Sequence, residues 1–287
     1  MPSDENMKPS SGLVKPTSTA KTPLGRHRLL FSDQPKTVYL IRHGESKAQE
    51  FSLERRSRDK LLKDCRLSAK GEDQALIIPS ILGLDRYRQI DCVISSPATR
   101  AVQTSVIAFP SKPIVIHYDL AEIGRDKIPL PENCGRPMQQ VLADVVGQDK
   151  ASAPHIDVDT FASPRRPYPG SHDNLPRSVR KSKLPKVWEA IWDYTEQRNA
   201  HEIAVVCHYN VIAFSLGNQA DDIKPKNGLP IECRLYRGGF LEVVETHTDK
   251  VQEMTETLAD VKKRNEWCMQ RHRSSIPHMR ALDENCN

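Results

Sequence analysis

The chain has 287 residues, with 42 Lys and Arg against 37 Asp and Glu, a net charge of +5, and 38% of its residues from the apolar set. That length fits one large domain or two small ones. The apolar share is below the usual globular value of about 45–50%, so part of the chain is expected to lie outside any core. No run of about 18 apolar residues occurs, which excludes a membrane-spanning helix.

The opening Met-Pro-Ser-Asp-Glu stretch has no apolar centre of the kind a secretory signal needs. The seven cysteines include no Cys-x-x-Cys pair, which fits free thiols in a reducing compartment better than a disulfide frame or a zinc site. A cytoplasmic location is expected, with the nucleus as the alternative. The charge is unevenly placed. Residues 1–36 carry a net +3, residues 150–186 a net +5 and residues 249–287 none, which leaves the remainder slightly acidic.

Residues 1–36 contain five prolines and few apolar residues, a composition expected of a disordered basic lead-in. Thr37–Ile41 is then a β-prone run too apolar for an edge, and it reads as a buried parallel strand. Ser68 precedes an amphipathic stretch through Gln74, Ile77, Ile78 and Leu82. Cys92–Ile94 is a second strand. Ser96-Pro97 reads as an N-cap followed by proline at the first helical position, with Ala98, Ala101, Val102, Ser105 and Val106 at helical spacing. Ile114–Ile116 is a third strand. Residues 148–183 are rich in Pro, Ser, Arg and Lys and read as an irregular insertion. Leu184, Val187, Trp188, Ile191, Trp192 and Thr195 keep a helical period. Ile203–Cys207 is a fourth strand, followed by a helix from Val211 to Leu216.

Ile231, Cys233 and Leu235, then Arg237-Gly238-Gly239 and Phe240–Val243, predict a β-hairpin at the sheet edge. Val251, Met254, Leu258 and Val261 predict a last amphipathic helix, and residues 269–287 a flexible tail. The folded domain is expected over 37–268. Strands alternating with helices predict an α/β fold, a three-layer α/β/α sandwich around a mostly parallel sheet.

The candidate chemistry sits where these strands end, the edge at which open α/β sheets bind ligands. The first strand delivers Arg42-His43-Gly44-Glu45. A histidine there can be a nucleophile, or can simply pair with an acid. The Arg42 guanidinium is a planar fork suited to an oxyanion, and Gly44 allows the backbone close to a ligand. The second strand leads to Ser95-Ser96-Pro97-Ala98-Thr99-Arg100-Ala101-Val102-Gln103-Thr104, with Arg100 in the first helical turn. The fourth strand ends at His208. Two imidazoles and two guanidiniums at one edge are costly unless a dianion such as phosphate is the ligand. Glu122 follows the third strand and is a candidate proton donor for a leaving oxygen, with Asp119 and Asp126 as competitors.

These residues resemble the histidine phosphatase superfamily, the phosphoglycerate mutase-like group. The resemblance rests on Arg-His-Gly at 42–44, Ser-Pro-x-x-Arg-Ala-x-Gln-Thr at 96–104, Glu122, His208 in a Val-x-His context, and the Leu67-Ser68-Ala69-Lys70-Gly71 segment. It implies a phosphoglycerate mutase-like fold and a metal-independent, cofactor-free phosphomonoesterase. In that scheme His43 attacks phosphorus, Arg42, Arg100 and His208 hold the phosphoryl group, and Glu122 protonates the leaving group. The implied substrate is a phosphorylated small molecule or phosphoprotein. A mutase-type phosphotransferase and a non-catalytic phospho-ligand scaffold are the alternatives. Nucleic-acid binding by the basic insertion is disfavoured, since no aromatic residues interleave it. Four departures stand out. Gln49 replaces the family's usual Asn, Tyr209-Asn210 follows His208, the stretch from Pro129 to Gly135 is remodelled, and Pro169-Gly170-Ser171 only faintly resembles a family motif.

Overall fold

The computed structural model of the protein describes residues 34–124, 130–146, 154–161, 177–220 and 223–246. The lead-in up to residue 33, Asp126, Pro169-Gly170-Ser171, the expected helix at 251–261 and the tail lie outside the described residues. The strands are β1 Lys36–Arg42, β2 Cys92–Ser95, β3 Ile114–Ile116, β4 Ile156–Asp157, β5 Glu202–Cys207, β6 Pro230–Tyr236 and β7 Phe240–Thr246. They form one sheet in the order β4-β3-β2-β5-β1-β6-β7. β1 to β5 pair in parallel, and β6 and β7 close one side as an antiparallel hairpin, as the alternation of their residues predicts.

The helices are α1 Leu53–Arg58, α2 Ala69–Leu82, α3 Leu84–Gln89, α4 Thr99–Ala108, α5 Met138–Val146, α6 Arg177–Gln197 and α7 Tyr209–Leu216. Because strand side chains alternate, each buried strand feeds two cores. Val38 and Leu40 of β1 join Ile203, Val205 and Cys207 of β5 under α6 and α7. Tyr39 and Ile41 join Ala204 and Val206 under α2, α4 and α5. The result is a three-layer α/β/α sandwich with a mostly parallel sheet.

Three details differ from the expectation. The segment 148–183 is not irregular throughout its described parts: Ile156–Asp157 adds a parallel edge strand to β3, and α6 begins at Arg177. Arg and Lys are good helix formers, and Arg177 and Lys181 lie over the Phe214 ring at 4.6 and 5.1 Å. The helix after β2 starts at Thr99, with Ala98 at the cap position and no side-chain cap of its own. Asp64 supplies that cap from a distant loop, accepting from the Thr99 amide at 3.0 Å and from its hydroxyl at 2.6 Å.

Finally, Gly44 opens room for protein rather than ligand. A Cβ on Gly44 would meet the Gly71 carbonyl oxygen at 2.3 Å, and one on Gly71 would meet the Glu45 carbonyl oxygen at 1.9 Å. The loop after β1 is thereby pressed onto the amino end of α2, where Gln74 Oε1 accepts from the Glu45 amide.

Candidate active site

Register brings the predicted residues together. Arg42 pairs with Cys207 and the His43 amide donates to the Cys207 carbonyl at 3.0 Å, so His43 and His208 leave adjacent strands side by side. On the other flank of β5 the Ser96 amide donates to the Val206 carbonyl at 2.9 Å, which sets Ser96 next to His208. The two imidazole rings meet edge to face with centroids 5.0 Å apart.

Arg100, only 2% exposed, lies across both rings. Its Nε donates to His43 Nε2 at 3.1 Å, and its Nη2 is 3.2 Å from His208 Nδ1. A guanidinium can only donate, so both of those ring nitrogens accept. The proton of His43 is therefore on Nδ1, donated to the Gly44 carbonyl at 2.6 Å. That of His208 is on Nε2, facing Ser96 Oγ at 2.7 Å. Both histidines are neutral: burial first, then the nearby guanidiniums of Arg100 and Arg42, hold their pKa values well below the ordinary histidine value. His43 thus presents an unprotonated Nε2 lone pair, the form a nucleophile needs.

Arg42 completes the cationic side. Its Nη1 donates to the Pro225 carbonyl at 3.1 Å, while its buried Nε has no partner. A buried donor without an acceptor is costly, and here it sits beside two imidazoles and a second guanidinium, where an oxyanion would satisfy it. Glu122 faces this group. Burial raises its pKa, opposed by the charges of Arg100 and Arg42. Its Oε1 accepts from the Ile123 amide at 2.9 Å, and Asn210 braces the same turn through the Ile123 carbonyl at 2.9 Å. Asp119 is exposed, with its amide directed to His117 Nδ1.

Several residues were not singled out from the sequence for what they do here. Ser96, read there as a helix cap, orients His208. Thr104 Oγ1 accepts from the Gly44 amide at 3.0 Å, and Asn227 Nδ2 donates to the His43 carbonyl at 2.7 Å. Gln49 occupies the family's Asn position, but its Oε1 accepts from the Ser46 amide at 3.0 Å and its amide faces Asn227. It therefore shapes the loop after β1. The Tyr209 ring packs on the Arg42 guanidinium at 5.4 Å and remains 38% exposed. Cys207, beside His208, is fully buried with its thiol pushed far up by burial, so it behaves as a small core side chain. Ser96 was legible as part of a motif; Asn227 has no local signal at all.

Residues 38–128, which include Arg42, His43, Arg100 and Glu122, match the family model described as histidine phosphatase superfamily (branch 1). That stretch is therefore similar to the histidine phosphatase superfamily. Among solved structures, the chain is similar to phosphoglycerate mutase from Bacillus anthracis, at 16% identity and a TM-score of 0.47 over 80% of this chain and 98% of that one. It is similar to the ecdysone phosphate phosphatase from Bombix mori, at 17% identity and a TM-score of 0.46 over 74% and 93%. It is also similar to phosphoserine phosphatase from Entamoeba histolytica, at 19% identity and a TM-score of 0.42 over 73% and 95%. No curated protein matches the chain. Among the described residues, no group of three or more His, Cys, Asp or Glu could hold a metal ion, and no helix is long and apolar enough to cross a membrane.

Proposed function

We propose that the chain is a phosphomonoesterase that works through a phosphohistidine on His43, acting on a phosphorylated small molecule or phosphoprotein. The observation that carries this reading is the convergence of two guanidiniums on two neutral imidazoles, with an orphaned Arg42 Nε and an acid of raised pKa beside them. Each element of a two-step phosphoryl transfer has a residue. His43 Nε2 forms the N–P bond as the bond from phosphorus to the leaving oxygen breaks. Glu122 gives that oxygen its proton. Arg42, Arg100 and His208 take up the charge on the equatorial oxygens, where preorganised donors stabilise the transition state most. Water then attacks phosphorus, the Glu122 carboxylate takes the water's proton, and the N–P bond breaks to release phosphate and regenerate neutral His43. The charge is met by side chains alone, so the reaction needs no metal.

The test is steady release of phosphate from p-nitrophenyl phosphate in the presence of EDTA. His43→Ala is expected to lower turnover about a thousandfold or more, as removal of a nucleophile does, and acid-labile phosphohistidine is expected to form on wild type only. Phosphate binding with neither turnover nor phosphohistidine would mean a scaffold. Interconversion of phosphoglycerate isomers without phosphate release would mean a mutase.

A further inference from the structure

The orientation of Arg100 is not set by its own helix. Its guanidinium makes two contacts to the imidazoles and two to a short turn at Pro131–Asn133. Nη1 donates to the Glu132 carbonyl at 2.6 Å and Nη2 to Asn133 Oδ1 at 2.9 Å. A planar fork held at both ends has its rotation fixed, so the position of the turn decides where the guanidinium lies over His43 and His208.

The turn is itself tied to the segment between β1 and α2. Its Pro131 carbonyl accepts from the Asp64 amide at 3.2 Å. Its firmest anchor is the Glu132 side chain, 7% exposed, which is gripped by Arg56 through Nε at 3.0 Å and again through Nη2. Arg56 belongs to α1, on the segment between β1 and α2. A second ion pair, Arg136 to Asp64 at 3.4 Å, joins the same two segments. A buried ion pair contributes little net stability and is strongly destabilising only when one partner is lost. What this pair does provide is a single geometry.

We infer that Glu132, gripped by Arg56, is the positioning residue for Arg100: it seats the Pro131–Asn133 turn whose two oxygens aim the guanidinium across both imidazoles. This rests on the reading of Arg100 as a phosphoryl-binding group. The device lies in the stretch from Pro129 to Gly135 where the sequence departs from the family pattern, and it ties that stretch to α1.

The test reads Arg100 directly. The Nε–H resonance of Arg100 in the full chain, assigned by its loss in Arg100→Lys, reports whether the guanidinium is anchored. The affinity for tungstate, a phosphoryl mimic, measured by calorimetry, reports the consequence. Glu132→Gln removes the charge and keeps the shape. It is expected to broaden or abolish the Arg100 Nε–H signal and to weaken tungstate about tenfold, the scale of one charge-assisted contact. Arg56→Gln removes the same pair from its more exposed side and is expected to do the same, which keeps the test readable if Glu132→Gln does not fold. Glu132→Asp keeps the charge and is expected to retain both the signal and most of the affinity. An unchanged Arg100 signal in a folded Glu132→Gln or Arg56→Gln protein overturns the inference. A wild type that neither binds tungstate nor turns over p-nitrophenyl phosphate overturns the phosphatase reading instead, and the Arg100 signal still decides whether Glu132 positions it.

Discussion

Glu122 and His43 stand in the same field of two guanidiniums, yet burial moves them in opposite senses: the carboxyl towards its protonated form, the imidazole towards its unprotonated form. In both cases the neutral state is favoured because a buried charge is costly. Burial thus makes Glu122 a readier proton donor than a solvated carboxyl and leaves His43 its lone pair, the combination acid–base catalysis requires. The proton matters in proportion to how poor the leaving group is. Glu122→Gln is therefore expected to lower kcat/KM, which reads the phosphorylation step and not the later hydrolysis, about a hundredfold or more on glycerol phosphate, while costing p-nitrophenyl phosphate, whose leaving oxygen is stable as an anion, less than about tenfold. Equal losses on the two substrates would remove Glu122 from the role of proton donor.

At the scale of elements, what was legible in the sequence is what sits on a periodic segment. Arg42, His43 and His208 could be placed because they end apolar β-prone runs, and the order β2-β5-β1 then brings Ser96, His208 and His43 into a row. The helix after β2 was legible but its cap was not. Asp64 and Thr99 are 35 residues apart, and no local pattern connects them. The same holds for Glu132 and Asn227, whose contacts to Arg100 and His43 span 32 and 184 residues. The two-residue strand at Ile156–Asp157 is too short for any alternation to show. Gly71 illustrates the opposite case, a motif residue whose reason became visible only in three dimensions. Overpacking a tight contact usually costs about 1–3 kcal/mol, and the contact between Gly71 and Glu45 is backbone against backbone, with no flexible side chain to yield. Gly71→Ala is expected to destabilise by at least that amount and to lower activity further by displacing the Gly44-Glu45 loop. Thermal unfolding and turnover of p-nitrophenyl phosphate measured on the same preparation would show both, and an unchanged melting temperature would refute the account.

Across the whole molecule, three histidines among the described residues are buried: His43, His117 and His208. The first and last belong to the site. His117 follows β3 and stacks on Phe161 with ring centroids 4.2 Å apart, and burial lowers its pKa to about 4. An unfolded histidine titrates near 6.5. Between those values the unfolded chain binds a proton that the native protein does not, so stability is fully present above about 6.5 and is lost as pH falls towards 4. Each such histidine contributes a slope of about 1.4 kcal/mol per pH unit, and His117 alone roughly 3 kcal/mol across its window. Glu122 and Glu202, whose pKa values are raised by burial, act with the opposite sign, because the native protein then holds the extra proton. The histidine share is isolated by a variant that keeps the ring stack and removes the titration. His117→Phe should flatten the dependence of unfolding free energy on pH between about 6.5 and 4 by close to one histidine's slope. Denaturant unfolding curves across that range measure it, and identical slopes for variant and wild type would show that His117 is already protonated in the native protein.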